Sequence, residues 1–150
     1  MVAPRPALAV DGCLVLLCFA APNWRAIPQC VPPIRQVLRD LARGRAFPRC
    51  AMAGAGNAAS HFWTSAPEAC PPQYTRVHET QGGWVYTCLY DGLVTVDIDG
   101  ALWSHTWWNT SGETVTVFSR AARARLGAWD AGLDPALVDQ VVQQPALAQP

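Results

Sequence analysis

The residues with the most chemical potential in this chain are six cysteines: Cys13, Cys18, Cys30, Cys50, Cys70 and Cys88. An even number spread over a small chain reads as a disulfide framework in an oxidising compartment. Reduced, buried thiols are the alternative in a reducing one. A metal site would need two close Cys pairs, or Cys combined with His at short spacing. Only Cys13 and Cys18 are close, and His61, His78 and His105 stand far from them. Disulfides are therefore the expectation, with no metal site.

Signals for catalysis are weak. The three His show no HxH or HExxH spacing, and there is no GxSxG nucleophile turn. With all six cysteines paired, no thiolate remains to attack a substrate. Asp97 and Asp99 lie two apart, but a turn at Asp99 accounts for the second. The Gly-Ala-Gly piece near residue 54 is followed by no Lys-Ser/Thr, so it is not a phosphate loop. The Asn109-Thr110-Ser111 sequon fits a turn. No catalytic residue and no cofactor are expected.

One charged pattern stands out. Arg35, Arg39 and Arg43 recur every four residues, and Arg45 and Arg49 extend the basic patch. A solvated helix face explains such a ridge. So does a docking surface for an acidic partner or anionic lipid headgroups. Direct nucleic-acid binding is not expected, because the formal net charge is zero and phosphate binding usually comes with a positive surplus. All eleven basic residues are Arg, which with the many Ala and Pro reflects composition more than function.

The elements that would carry these residues fall into two textures. Asp11 is placed to cap a first helix through Ala20, ended by Pro22-Asn23. Pro32-Pro33 opens a second, where Pro is tolerated in the first turn. Its Ile34, Val37, Leu38 and Leu41 form one apolar stripe at i, i+3, i+4, i+7, and Gly44 stops it. Two helices joined by a short loop pack antiparallel. The start of the first then faces the end of the second, which favours Cys13–Cys50 and Cys18–Cys30. Cys70 and Cys88 remain, and their bridge would clamp the first strand's entry to the second.

From residue 73 the apolar period changes to two. Strands are expected at 73–77, 84–90, 93–98, 101–108 and 113–118. The turns between them include Asp91-Gly92 and Asp99-Gly100, pairs suited to the positive φ of two-residue hairpins. A strictly sequential meander follows. Trp103 and Trp107 should share one face and Trp108 the other, one side being core and the other a second layer or a partner surface. Ser119 can cap a short helix ending at Gly127. A last helix can start at Asp134-Pro135, with Leu137, Val138, Val141 and Val142 as its apolar face. The fold class is α+β. Its parts are a leader remnant or disordered stretch (1–9), a Cys-rich helical hairpin (10–50), a linker (51–69), an antiparallel meander (70–118), C-terminal helices (119–144) and a disordered tail (145–150).

Ala7-Leu8-Ala9 has the small-x-small form of a signal-peptidase site, although no apolar stretch precedes it. The expectation is an upstream in-frame start supplying the leader, with a mature N-terminus at Val10. The apolar run 14–21 is far short of the ~20 residues a membrane-spanning helix needs, so no transmembrane helix is expected. It also lacks the small residue before Cys18 that lipid attachment requires.

Residues 11–50 resemble the opening of the TrbM-type conjugal transfer proteins. The resemblance rests on Asp11, Cys13 and Cys18 in an Asp-x-Cys…Leu-Leu-Cys opening, Cys30 before a helix, and a Gly-x-x-Phe-Pro-x-Cys close at Gly44, Phe47, Pro48 and Cys50. It implies an exported, periplasmic accessory protein of conjugative DNA transfer, encoded with a type IV secretion system, whose partners are protein components of that apparatus. No catalytic residues carry over. Two rivals stand beside it. One is a secreted binding module unrelated to conjugation. The other is an envelope hydrolase acting on peptidoglycan, which would need convergent carboxylates drawn from Glu68, Glu79 and Glu113.

Overall fold

The structure, a computed structural model, describes residues 10–126. The expected leader remnant, the Gly127 stop, the helix from Asp134 and the tail lie outside the described residues.

Helix α1 spans Gly12–Ala20, and the Asp11 carboxylate accepts from the Cys13 N–H as its cap. Gly12 is required there for space: a Cβ would stand 2.1 Å from the Arg49 carbonyl oxygen. A single 3-10 turn at Trp24–Ala26 leads to α2, Val31–Ala42, with the two prolines in its first turn. Gly44 ends it at φ 80°. Ile34, Val37, Leu38 and Leu41 are all buried, as the stripe predicts. They meet Val15, Leu16 and Phe19 of α1.

Six strands follow: β1 (Ala58–Trp63), β2 (Thr75–Thr80), β3 (Gly83–Cys88), β4 (Gly92–Ile98), β5 (Ala101–Trp108) and β6 (Thr114–Phe118). A short helix α3, Arg120–Leu126, closes the described chain. The Ser119 hydroxyl accepts from the Ala122 N–H, as a cap should. The α+β class holds, and β4, β5 and β6 form a true meander. The Asp99-Gly100 hairpin turn has positive φ at both residues.

Corrections fall in two places, the strand order and the faces of the tryptophans. The stretch 51–69 is not only a linker, because it contains β1, and the sheet order is β1-β4-β5-β6. β2 and β3 form a separate two-stranded hairpin, so the meander is not sequential through Asp91-Gly92. The reason lies in β4. Residues 92–96 are buried without alternation, the mark of a central strand covered on both faces and paired on both edges. β1 fills the edge that β3 would take in a sequential meander.

The second correction concerns the tryptophans. Val96 pairs with Ser104 but Asp97 pairs with Leu102, so Trp103 is an extra residue in β5. A bulge shifts the inward-outward alternation by one. Trp103 therefore joins Trp108 on the face toward the helices, and Trp107 points to the other. Trp103 Nε1–H donates to the Ala20 carbonyl at 2.8 Å, tying β5 to the end of α1. Trp107 is fully buried beneath the β1–β2 connection, where its Nε1–H donates to the Ala69 carbonyl at 2.9 Å. Both sheet faces are thus covered.

Candidate functional site

All six cysteines are paired: Cys13–Cys50, Cys18–Cys30 and Cys70–Cys88. These are the pairings the antiparallel helix geometry and the strand entry imply. Three bridges suit an oxidising, extracytoplasmic environment. Among the described residues no helix is long and apolar enough to cross a membrane, and no His, Cys, Asp or Glu cluster could hold a metal ion.

The arginine ridge lies where the helical period puts it. Arg35, Arg39 and Arg43 are exposed on the face of α2 beside its buried stripe, and Arg45 and Arg49 are exposed beyond it. Asp40 is occupied by Arg45 at 3.2 Å and by the Gln36 amide. Arg39 donates to Gln36 Oε1, a neutral acceptor. Among the described residues, Arg35, Arg39 and Arg43 have no carboxylate partner. They border a groove of about 420 Å³ whose far wall is the β5–β6 turn at Asn109, Thr110, Ser111 and Gly112. That turn is internally fixed: Asn109 Oδ1 accepts from the backbone N–H groups of Ser111 and Glu113. Arg25 anchors it to the helices by donating to Gly112 O and Thr114 Oγ1, with its guanidinium over the Trp24 ring.

A larger cleft of about 600 Å³ adjoins this groove, and the two share Ala42 and Thr110 in their walls. Its sides come from Trp63 at the end of β1, Tyr86 on β3, and Tyr90 with Asp91 leading into β4. Gly92 lets the floor close. A Cβ there would meet Trp108 Nε1 at 2.3 Å and His61 Nε2 at 2.4 Å, so only glycine admits the Trp108-to-His61 hydrogen bond of 3.1 Å beside it. Burial raises the Tyr90 pKa, and the Glu113 charge adds to the effect. Asp91 accepts the Thr110 N–H through Oδ2. The hairpin is unusual in that Val77, Trp84, Val85 and Tyr86 are all exposed, and of these four Tyr86 lines the cleft. Sequence reasoning missed this cleft, and also Arg25. The only early signal was the aromatic content of residues 84–90, which a sequential meander would have buried.

The histidines are spread out. His78 is on the exposed hairpin, facing Thr87. His105 is fully buried and pairs through Nδ1 with Thr95 Oγ1 at 3.1 Å. His61 packs between Phe47, Trp63 and Trp108. Burial pulls both His61 and His105 down to about 4. Asp99 serves the turn, donating its N–H to Asn57 Oδ1, while burial raises the Asp97 pKa. Glu68, Glu79 and Glu113 sit on separate elements and none lines the large cleft. Comparison with protein-family models, with characterised proteins and with solved structures finds no match to this chain.

Proposed function

We propose that this chain is an exported, non-enzymatic accessory or assembly protein of bacterial conjugative DNA transfer, acting in the periplasm beside protein components of a type IV secretion apparatus. Two things support the reading. The stretch 11–50 that resembles TrbM-type proteins forms the helical hairpin, and two disulfides close within it. The observation that carries the docking role is the ridge of Arg35, Arg39 and Arg43, exposed and without carboxylate partners among the described residues while the stripe beside it is consumed by the core. Guanidinium groups held on a rigid helix suit the carboxylates of an acidic partner surface.

The test is a mating assay in a deletion strain complemented with Arg35→Glu plus Arg39→Glu. Exposed substitutions of this kind change stability by about 0.5 kcal/mol or less, whereas reversed rim charges slow association and repel the partner. Transfer frequency should fall while the periplasmic level and the disulfides stay normal. His78→Ala is the control, because its ring is exposed; alanine at His61 or His105 would test packing instead. Normal transfer by the double variant eliminates the ridge as the docking surface. Loss of transfer from a stably folded His78→Ala protein would favour the hydrolase reading.

A further inference from the structure

We infer that the cleft between the β2–β3 hairpin and the main sheet is a binding site for an acidic glycan, with sugar rings against Trp63 and Tyr86 and acidic substituents toward the arginine groove. The inference is independent of the conjugation reading.

The lining decides the ligand class. Trp63 and Tyr86 are 45% and 70% exposed, so both rings offer surface without reorganisation. Interleaved with them are Ser65, Tyr90, Asp91 and Thr110. Among the described residues, the Ser65, Tyr86, Tyr90 and Thr110 side-chain hydroxyls and Asp91 Oδ1 have no hydrogen-bond partner. An aliphatic ligand would cover the rings but strip water from these polar groups with nothing in return. A small polar ion would satisfy some of them and leave the rings wet. A pyranose answers both, since its axial C–H face is apolar and its rim carries hydroxyls that donate and accept. A volume of about 600 Å³ is within the usual range for a small-molecule site, ~300–1,000 Å³.

The charge pattern decides which glycan. Past Ala42 and Thr110 the cleft runs into the groove that Arg35, Arg39 and Arg43 border. A chain of sugars leaving the aromatic end in that direction would meet guanidinium groups that have no carboxylate among the described residues. Carboxylate substituents on those sugars would meet them there, and charge-assisted hydrogen bonds of that kind are about twice as strong as neutral ones.

The test is calorimetric titration of the intact disulfide-bonded protein with three probes. These are a tetrasaccharide alternating N-acetylglucosamine with N-acetylmuramic acid, neutral chitotetraose, and laurate. The acidic tetrasaccharide should bind more tightly than chitotetraose, and added salt should narrow the gap. Tyr86→Ala should weaken both sugars by about two- to tenfold, the range for one stacked ring, and Tyr86→Phe should restore most of that. Tyr86 is on the exposed hairpin, so these variants fold even if Trp63→Ala does not. They also leave the arginine ridge intact, so a failed sugar titration and a failed mating test remain separate results. Equal affinity for the two sugars overturns the acidic assignment. No sugar binding, sugar binding indifferent to Tyr86, or saturation by laurate alone overturns the site.

Discussion

His105 ties the fold to pH, and the effect can be worked out from its surroundings. The ring lies in the sheet with no exposed surface. Its Nδ1 faces Thr95 Oγ1, and among the described residues its Nε2 has no partner. A protonated ring would carry two N–H donors, only one of them with an acceptor. Burial therefore holds the pKa at about 4, against 6.5 for the free side chain. Because the folded value is the lower one, the unfolded chain takes up the proton first. The stabilisation is complete above pH 6.5 and is lost as pH falls toward 4. At roughly 1.4 kcal/mol per pH unit, the gap amounts to about 3 kcal/mol. That is a large share of a typical net stability of ~5–15 kcal/mol.

The perturbation is His105→Gln, which keeps a hydrogen-bonding group for Thr95 and does not titrate. Urea unfolding of both proteins at about pH 7 and about pH 4 gives two differences. The variant is expected to be less stable at neutral pH, since glutamine does not fill the ring's space. The informative quantity is how much each loses on acidification. Wild type should lose about 3 kcal/mol more than the variant. His61, lowered by burial to about 4, acts in the same direction. Asp97, raised by burial, acts in the opposite one. Both are present in both proteins and cancel in the comparison. Equal acid losses would refute the reasoning, because His105 could not then be a buried neutral ring.

Three further outcomes follow from packing and from the disulfides. Gly92→Ala places a methyl against Trp108 Nε1 and His61 Nε2; it should lower the urea-derived stability by ~1–3 kcal/mol, whereas Gly82→Ala, with only Thr80 Oγ1 at 3.9 Å, should be near neutral. Mass mapping of the oxidised protein should find no free thiol and a Cys70–Cys88 bridge, and two or more free thiols would sink the framework. Replacing Cys70 and Cys88 by Ser should speed amide exchange in the β2–β3 hairpin while leaving β4 and β5 protected, because that hairpin is exposed and, among the described residues, paired to no other strand.

The helical third was legible because its signals are local. A cap, a proline pair, a four-residue apolar stripe and a stop glycine each act within one or two turns. Antiparallel packing of two short helices then favours one of the three possible pairings of four cysteines. Arg35, Arg39 and Arg43 were legible for the same reason, since the period that buries Leu38 must expose them. β1 was not legible. Its Ala58-Ala59-Ser60 start looks like the Gly/Ala linker before it, and as an edge strand it needs no long apolar run. The bulge at Trp103 has no sequence marker, and it inverted the expected face of that residue.

The missed strand and the missed cleft have one physical cause. In a sequential meander β3 would pair with β4, and Trp84 and Tyr86, two residues apart, would share one face of the sheet. Once β1 occupies that edge, β3 has only β2 to pair with, and the hairpin stands off the sheet. Two-stranded hairpins are marginal in isolation. This one is held by the Cys70–Cys88 bridge, the Leu89 N–H donating to the Tyr74 carbonyl, and Tyr74 packed on Tyr90 and Trp107. The space between the displaced hairpin and the sheet is the cleft, and Tyr86, freed by the displacement, is part of its wall. A site built by long-range strand exchange leaves no spacing to read along the chain, which is why the ridge was visible in the sequence and the cleft beside it was not.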